Sequence, residues 1–450
     1  MLGQQFIENK KYQEFLKSNF VVFLADSATK EGDEIFEKFN VRATPTVMIV
    51  NSKGEEIDWH VGYGPPASKF QERLEKTLRG EDTFQVLYEK YQQDPDNVEV
   101  VFLLARKWDR RYNQEKAKEL YNRVLELDPD GSKGTTDYLD KGKVTFTEYA
   151  EFSLGTMQVF SRERDIKPLR AFLEKYPKSL LKQDTYSYLS SYYRSAGTKE
   201  EAIQFFEEYA AMFPDNPYAL NAYIDRIIRD KGDIDRGIEL AEKINNEIMK
   251  YNPDPYFVKN QAELLMLKDD KDEAESVYGK NYMEGQVSDL AYNLREYADF
   301  WVEKDMNLES AEEMIRLAVE LKPDNSYIIQ SASRIYIKLD KLEKALALYG
   351  SQYADKNMEN SDLLYSYARF WASQGENLES ALKAAQKAVD LDAAYYKWDT
   401  LALVYQKLER YEEAIKAEEK AIETAGDYAE RFKNRLELIK KEMAKAKKKG

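Results

Sequence analysis

The chain has 450 residues, no cysteine, one histidine and a formal net charge of −15. That composition excludes disulfides, thiolate chemistry and zinc–thiolate sites, and leaves the redox compartment open. An acidic chain of this kind is not expected to bind nucleic acid, because phosphate contacts need clustered Lys and Arg.

The opening, "MLGQQFIENKKYQEF", has no apolar core of the secretory type. No later apolar run approaches the roughly 18 residues a membrane helix requires. As given, the chain is expected to be soluble and cytoplasmic. "NFVVFLAD" (19–26) reads as a short buried strand, and "EGDEIFEKFNV" (31–41) as a helix with Ile35, Phe36 and Phe39 on one face. "TVMIV" (46–50), a turn at Asn51–Gly54 and "EEIDWHVGY" (55–63) predict a β-hairpin. A helix then begins after Pro66 and stops at Gly80.

From residue 84 the strands give way to a helical cadence. "AKELYNRVLELDPD", "AIQFFEEYAAMFPDN", "AEEMIRLAVELKPDN", "ALKAAQKAVDLDAA" and "AIKAEEKAIETAGD" are related segments. Small residues opening such segments fall at Ala117, Ala202, Gly237, Ala274, Ala311, Ala345, Ala381 and Ala414; between the last seven the steps are 35, 37, 37, 34, 36 and 33. Twelve residues after Ala117, Ala202 and Ala311 stand Pro129, Pro214 and Pro323, where the chain must leave one helix pair for the next.

In this form the pattern resembles the tetratricopeptide repeat, a 34-residue helix–turn–helix unit. Trp398, Leu401, Ala402 and Tyr405 ahead of Ala414 match its first helix, as do Leu104, Ala105 and Trp108 ahead of Ala117. About nine pairs are expected over residues 84–425. The span 145–177 is degenerate, with Asp165 where alanine is expected, and the Gly-rich insertion at 128–142 is expected to be a mobile loop that breaks the array into two segments.

Residues 6–80 resemble the C-terminal two-thirds of a bacterial thioredoxin-like domain, on "FVVFLAD", "IFEKFNVRATPT", "MIVNSKGEEID" and "VGY" in order. The resemblance implies a cis peptide between Thr44 and Pro45, in the loop that lies beside the paired cysteines of that family. The family's first strand and helix, its central strand and its Cys-x-x-Cys would all precede residue 6. Two strand edges would then face a gap, to be met by rearrangement, by a partner strand or dimerisation through this module, or by a longer natural protein.

Other chemistry finds little support. His60 has no second imidazole or thiol with which to hold a metal, so a structural role is expected. Asp128 and Asp130 are spaced as in a calcium loop, but Lys133 occupies the glycine position and no glutamate closes the loop. The acidic "LKDDKDEAE" (267–275) reads as a solvated turn and helix start. No phosphate-binding glycine loop and no nucleophile elbow occurs. The pairs Phe102/Arg106, Lys259/Glu263 and Asp399/Leu403 do not form the Lys–Asn clamp by which some members of the repeat family hold chaperone C-termini.

The expected fold is thus mainly α: a tetratricopeptide-type α-solenoid superhelix over 84–427, preceded by a small incomplete α/β thioredoxin-like module over 1–80. A capping helix with a basic, fading tail follows over 428–450. The resemblance implies a non-enzymatic scaffold for a protein or peptide, with no metal and no cofactor. Tyr188, Tyr192, Tyr365 and Arg369 are the candidate groove residues, because Tyr offers large contact area at small entropic cost. The alternative is a fragment of a thiol-disulfide oxidoreductase whose Cys-x-x-Cys half lies upstream of Met1, in a parent that could be exported.

Overall fold

A computed structural model of the chain describes residues 2–27, 29–64, 66–139, 141–280 and 290–449. Residues 281–289 of the expected repeat region and Gly450 of the basic tail lie outside the described residues. The fold is helical apart from two sheets of two strands each among the described residues. The chain divides into two compact units, Met1–Gly232 and Asp233–Gly450.

The first unit begins with a short π-helix, Gly3–Ile7, followed by the helix Lys10–Asn19, started by the Asn9 side chain accepting from the Lys11 amide at 3.0 Å. A second helix, Lys30–Lys38, is capped by Thr29, and Ile35, Phe36 and Phe39 remain only half-buried. Strands β1 (Thr46–Val50) and β2 (Glu56–Val61) pair antiparallel, with Val47 opposite His60 and Met48 opposite Trp59. Their turn is locked by Asn51 Oδ1, which accepts from the amides of Lys53 and Glu55. The helix Ala67–Leu78 follows Pro66, and Gly80 beyond its end takes the left-handed φ of +71° that ends a helix readily only at glycine. Phe6, Tyr12, Leu16, Ile49, Phe70 and Leu74 form the core of this part.

The expected strand at 19–26 is not formed. Residues 20–26 belong to no ladder, and Val21, Phe23 and Leu24 are exposed at 101%, 72% and 71%. A strand exists only through a neighbour's hydrogen bonds, and the β1–β2 sheet has no third strand among the described residues. The apolar pattern was legible; the missing partner decides the outcome.

The repeats begin with Phe84–Gln93. Antiparallel pairs follow: Val98–Arg110 with Gln114–Leu127, Phe146–Val159 with Lys167–Lys175, and Lys182–Tyr193 with Lys199–Met212. Asn97, Asn113, Thr145 and Thr198 cap four of these helices, each accepting a backbone N–H through its side chain. Helices end at Leu127, Met212 and Leu321, each two residues before its proline. All eight small residues named from the periodicity are buried. The degenerate span still forms a pair because the small residue moves to the first helix: a Cβ on Gly155 would lie 2.5 Å from Leu169 Cδ2.

The insertion carries a short hairpin among its described residues. Thr135–Asp137 pairs with Lys143–Thr145, and the fully buried Asp128 anchors its start, taking the Lys133 amide at 3.0 Å and the Thr147 hydroxyl. Asp130 accepts from Ser132, so both carboxylates serve the turn.

In the second unit the pairs are Pro255–Leu267 with Lys271–Tyr278, Leu290–Glu303 with Leu308–Leu321, Ser326–Lys338 with Leu342–Tyr349, Ser361–Gln374 with Leu378–Leu391, and Tyr395–Lys407 with Tyr411–Thr424. Two relationships repeat along it. The Trp301 indole N–H donates to the Tyr278 carbonyl at 2.9 Å, and that of Trp371 to the Tyr349 carbonyl at 2.7 Å. Both tyrosines precede a glycine that leaves the helix; a Cβ on Gly350 would stand 2.1 Å from the Leu346 carbonyl oxygen, so the second helix breaks there and frees the carbonyl. The final helix, Ala429–Lys449, buries Phe432, Leu436 and Ile439 and stays helical through Lys449 instead of fading.

Candidate functional site

Two places bring side-chain chemistry together. The first lies on the first helices of the second unit. Arg295, Tyr327, Gln330, Arg334, Tyr365 and Arg369 line a cavity of about 550 Å³, contributed by three successive first helices, and no carboxylate is in its wall. First helices of stacked pairs lie side by side, so residues 35 or so apart in sequence become neighbours. The arginines are held from behind: Asp299 pairs with Arg295 and Arg334, both at 2.6 Å, and Asp399 with Arg369 at 3.2 Å. Arg295 also lies 4.5 Å over the Tyr327 ring, and Tyr365 meets Tyr396 edge-on at 5.1 Å.

Of the four residues chosen from sequence, Tyr365 and Arg369 share this wall. Tyr188 and Tyr192 belong to the first unit and are ring-packing residues: Tyr188 lies against Phe152 and Phe160, and Tyr192 against Tyr193 beneath Arg164. Burial, followed by the nearby Asp184 charge, raises the Tyr188 phenol above its ordinary value. Sequence reading missed Tyr327, Arg295 and Arg334. Arg334 stands 35 residues before Arg369, and Arg295 stands 35 residues before Gln330, which stands 35 before Tyr365; that period was the available signal, and Tyr327, 38 residues before Tyr365, lies off it.

The second place is the joint between the hairpin and the first repeat helices. The Thr44–Pro45 peptide is cis, both residues are exposed, and the Pro45 carbonyl accepts from the Gly62 amide at 2.8 Å. Behind this loop Trp59 packs against Phe84 and Trp108 at 4.6 and 5.6 Å. Asp58, nearly fully buried, accepts from Lys107 Nζ at 2.5 Å and from the Phe84 amide at 3.3 Å.

Below these lies a cavity of about 940 Å³, walled by His60, Arg73, Arg106, Lys107 and Arg110 among others. His60 Nε2 is 3.1 Å from Thr77 Oγ1, and burial lowers the ring's pKa to about 4; Lys107, Arg73 and Arg110 push the same way and Asp58 opposes them. The imidazole is therefore neutral at physiological pH. Among the described residues no group of three or more His, Asp or Glu is arranged to hold a metal. No described helix is long and apolar enough to cross a membrane.

The thioredoxin-like domain family model matches residues 1–78, and the model for ChAPs (Chs5p-Arf1p-binding proteins) matches residues 307–421. Among solved structures, the chain is similar to a tetratricopeptide repeat protein from Parabacteroides merdae, with 14% identity over 57% of this chain and 98% of that one, at a TM-score of 0.35. It is also similar to YrrB, a TPR protein with an unusual peptide-binding site, with 21% identity over 45% of this chain and 99% of that one, at 0.28. For yeast Tom70 the identity is 14%, over 84% of this chain and 88% of that one, at 0.36. No curated protein matches. The chain carries a thioredoxin-like domain at its N-terminus, followed by tetratricopeptide-like helical repeats.

Proposed function

We propose that this chain is a protein-interaction scaffold that holds an acidic, aromatic-bearing peptide or helix against the first helices of its second unit, with the thioredoxin-like module in a non-catalytic role. The observation that carries this reading is the wall built by Tyr327, Arg334, Tyr365 and Arg369 on successive first helices. In a chain of net charge −15 this wall presents guanidinium groups, each paired with a carboxylate behind it. Its guanidinium groups are fixed by Asp299 and Asp399, so a partner meets a pre-set surface and loses less rotamer entropy on binding. The test is selection of short peptides on the full chain, followed by titration against an Arg334→Ala, Arg369→Ala double variant. A tenfold or greater loss of affinity with an unchanged unfolding midpoint supports the reading; peptides indifferent to both residues reject it.

A second reading is thiol-disulfide exchange, supported by the match of residues 1–78 to the thioredoxin-like domain family. These 450 residues contain no thiol, so the reading requires cysteines from further sequence of the same protein. Intact mass of the endogenous protein decides: a value near 52.6 kDa rules it out, and a larger mass with insulin-reducing activity favours it.

A further inference from the structure

The cavity at the joint is lined by six Lys and Arg side chains and five carboxylates. Arg73 comes from the helix Ala67–Leu78, its guanidinium 4.9 Å over the Phe70 ring. Arg106 and Arg110 come from Val98–Arg110, one turn apart on one face. Arg106 is steadied by Thr136 Oγ1 at 3.0 Å and by the Phe102 and Tyr149 rings, yet its Nε is buried and donates to nothing. Among the described residues none of these three arginines forms an ion pair. The carboxylates nearby are engaged or peripheral. Asp58 is taken by Lys107, Asp109 accepts from Tyr121 at 3.3 Å, and Glu72, Glu81 and Asp82 are exposed at the margin.

Arg110 is exposed and lines this concave wall, a setting in which field lines concentrate. Burial, then the charge of Arg106, lowers its affinity for its proton; burial, then Arg110, does the same to Arg73. Like charges held together in this way destabilise the free protein and are relieved by an anion.

We propose that this cavity binds a phosphoryl group, brought either by a small phosphorylated compound or by a phosphorylated side chain of a peptide. A phosphoryl group carries nearly two negative charges and three acceptor oxygens, so it can accept from more than one guanidinium; a carboxylate satisfies one fork and one charge. A volume of about 940 Å³ exceeds that of the group itself, so the group arrives attached to a larger body.

The experiment is calorimetric titration and thermal shift on the full chain with pyrophosphate, a phosphoserine peptide, its unphosphorylated form, citrate, and sodium chloride at matched ionic strength. Arg73→Gln and Arg110→Gln are the test variants, and the exposed Arg316→Gln is the control. Saturable binding of a phosphoryl probe, weakened tenfold or more by each test variant and untouched by the control, supports the site. Preference for the phosphopeptide over pyrophosphate assigns a peptide source, and the reverse a small compound. Citrate binding as tightly as pyrophosphate, absence of saturable binding, or full affinity in Arg110→Gln overturns the proposal. Should a variant lose its fold by circular dichroism, broadening of the pyrophosphate phosphorus resonance by the wild-type chain, present or absent against chloride, decides instead.

Discussion

Arg111 and Glu56 form a two-pronged ion pair across the joint, Nη1 to Oε2 at 2.6 Å and Nη2 to Oε1 at 2.9 Å. The guanidinium also lies 4.3 Å over Trp59 and donates to the Phe39 carbonyl. Because the pair is largely shielded from water, its geometry counts for more than that of a surface pair. Arg111→Ala is expected to lower stability by about 3 kcal/mol, and Arg111→Lys, which keeps the charge but loses the fork, by about half as much. Urea unfolding followed by tryptophan fluorescence, with Trp59 and Trp108 at the joint, measures both.

Asp58 sits at 2% exposure with Lys107, Thr77 and the Phe84 amide as its donors. Asp58→Asn keeps the shape and removes the charge, leaving Lys107 half-buried and uncompensated. The expected cost is about 3 kcal/mol at neutral pH. Asp58→Asn with Lys107→Met should recover part of it, which a double-mutant cycle by denaturant titration would read.

Glu418 is fully buried, neither carboxyl oxygen has a hydrogen-bond partner, and Arg435 Nε is 3.7 Å away. Burial, then the charge of Asp399, pushes its pKa up to about 7. The stability tied to the neutral form is fully present below the ordinary value of 4.5 and is lost as pH rises through about 7. Glu418→Gln is therefore expected to match the wild type at pH 4 and to exceed it by about 2 kcal/mol at pH 8. Equal urea midpoints for the two proteins at pH 8 would contradict this.

Val21, Phe23 and Leu24 present apolar side chains on a segment that belongs to no ladder. Such a segment invites pairing with another chain. Phe23→Lys should leave the unfolding free energy within about 0.5 kcal/mol while reducing dye binding and concentration-dependent association in sedimentation velocity. Unchanged association would place the contact elsewhere.

What was legible follows from where the information lies. Alanines at Ala311, Ala345, Ala381 and Ala414 announce the repeats because close helix crossings tolerate little else at those positions. Residues 19–26 carry strand composition, yet no pattern within eight residues can state whether a neighbour exists. The hairpin at 135–145 escaped because its three-residue strands, Thr135–Asp137 and Lys143–Thr145, are too short and polar to show alternation. Tyr365 and Arg369 were chosen through composition on a first helix, and both line the cavity of the second unit. Arg73, Arg106 and Arg110 were not singled out, since two helices with residues 79–97 between them must fold before they share a wall.

The contact of Trp59 with Phe84 and Trp108 has a consequence for how an array of repeats can begin. Each repeat buries its apolar side on a predecessor, and the first has none. Here the β2 strand supplies that missing neighbour, with Trp59 as the plug and Arg111 as the latch. Truncation to the repeats alone would uncover Phe84 and Trp108 together, so the thioredoxin-like module acts as the end plate of the array. That duty rests on an indole, a carboxylate and a guanidinium, and asks nothing of a thiol.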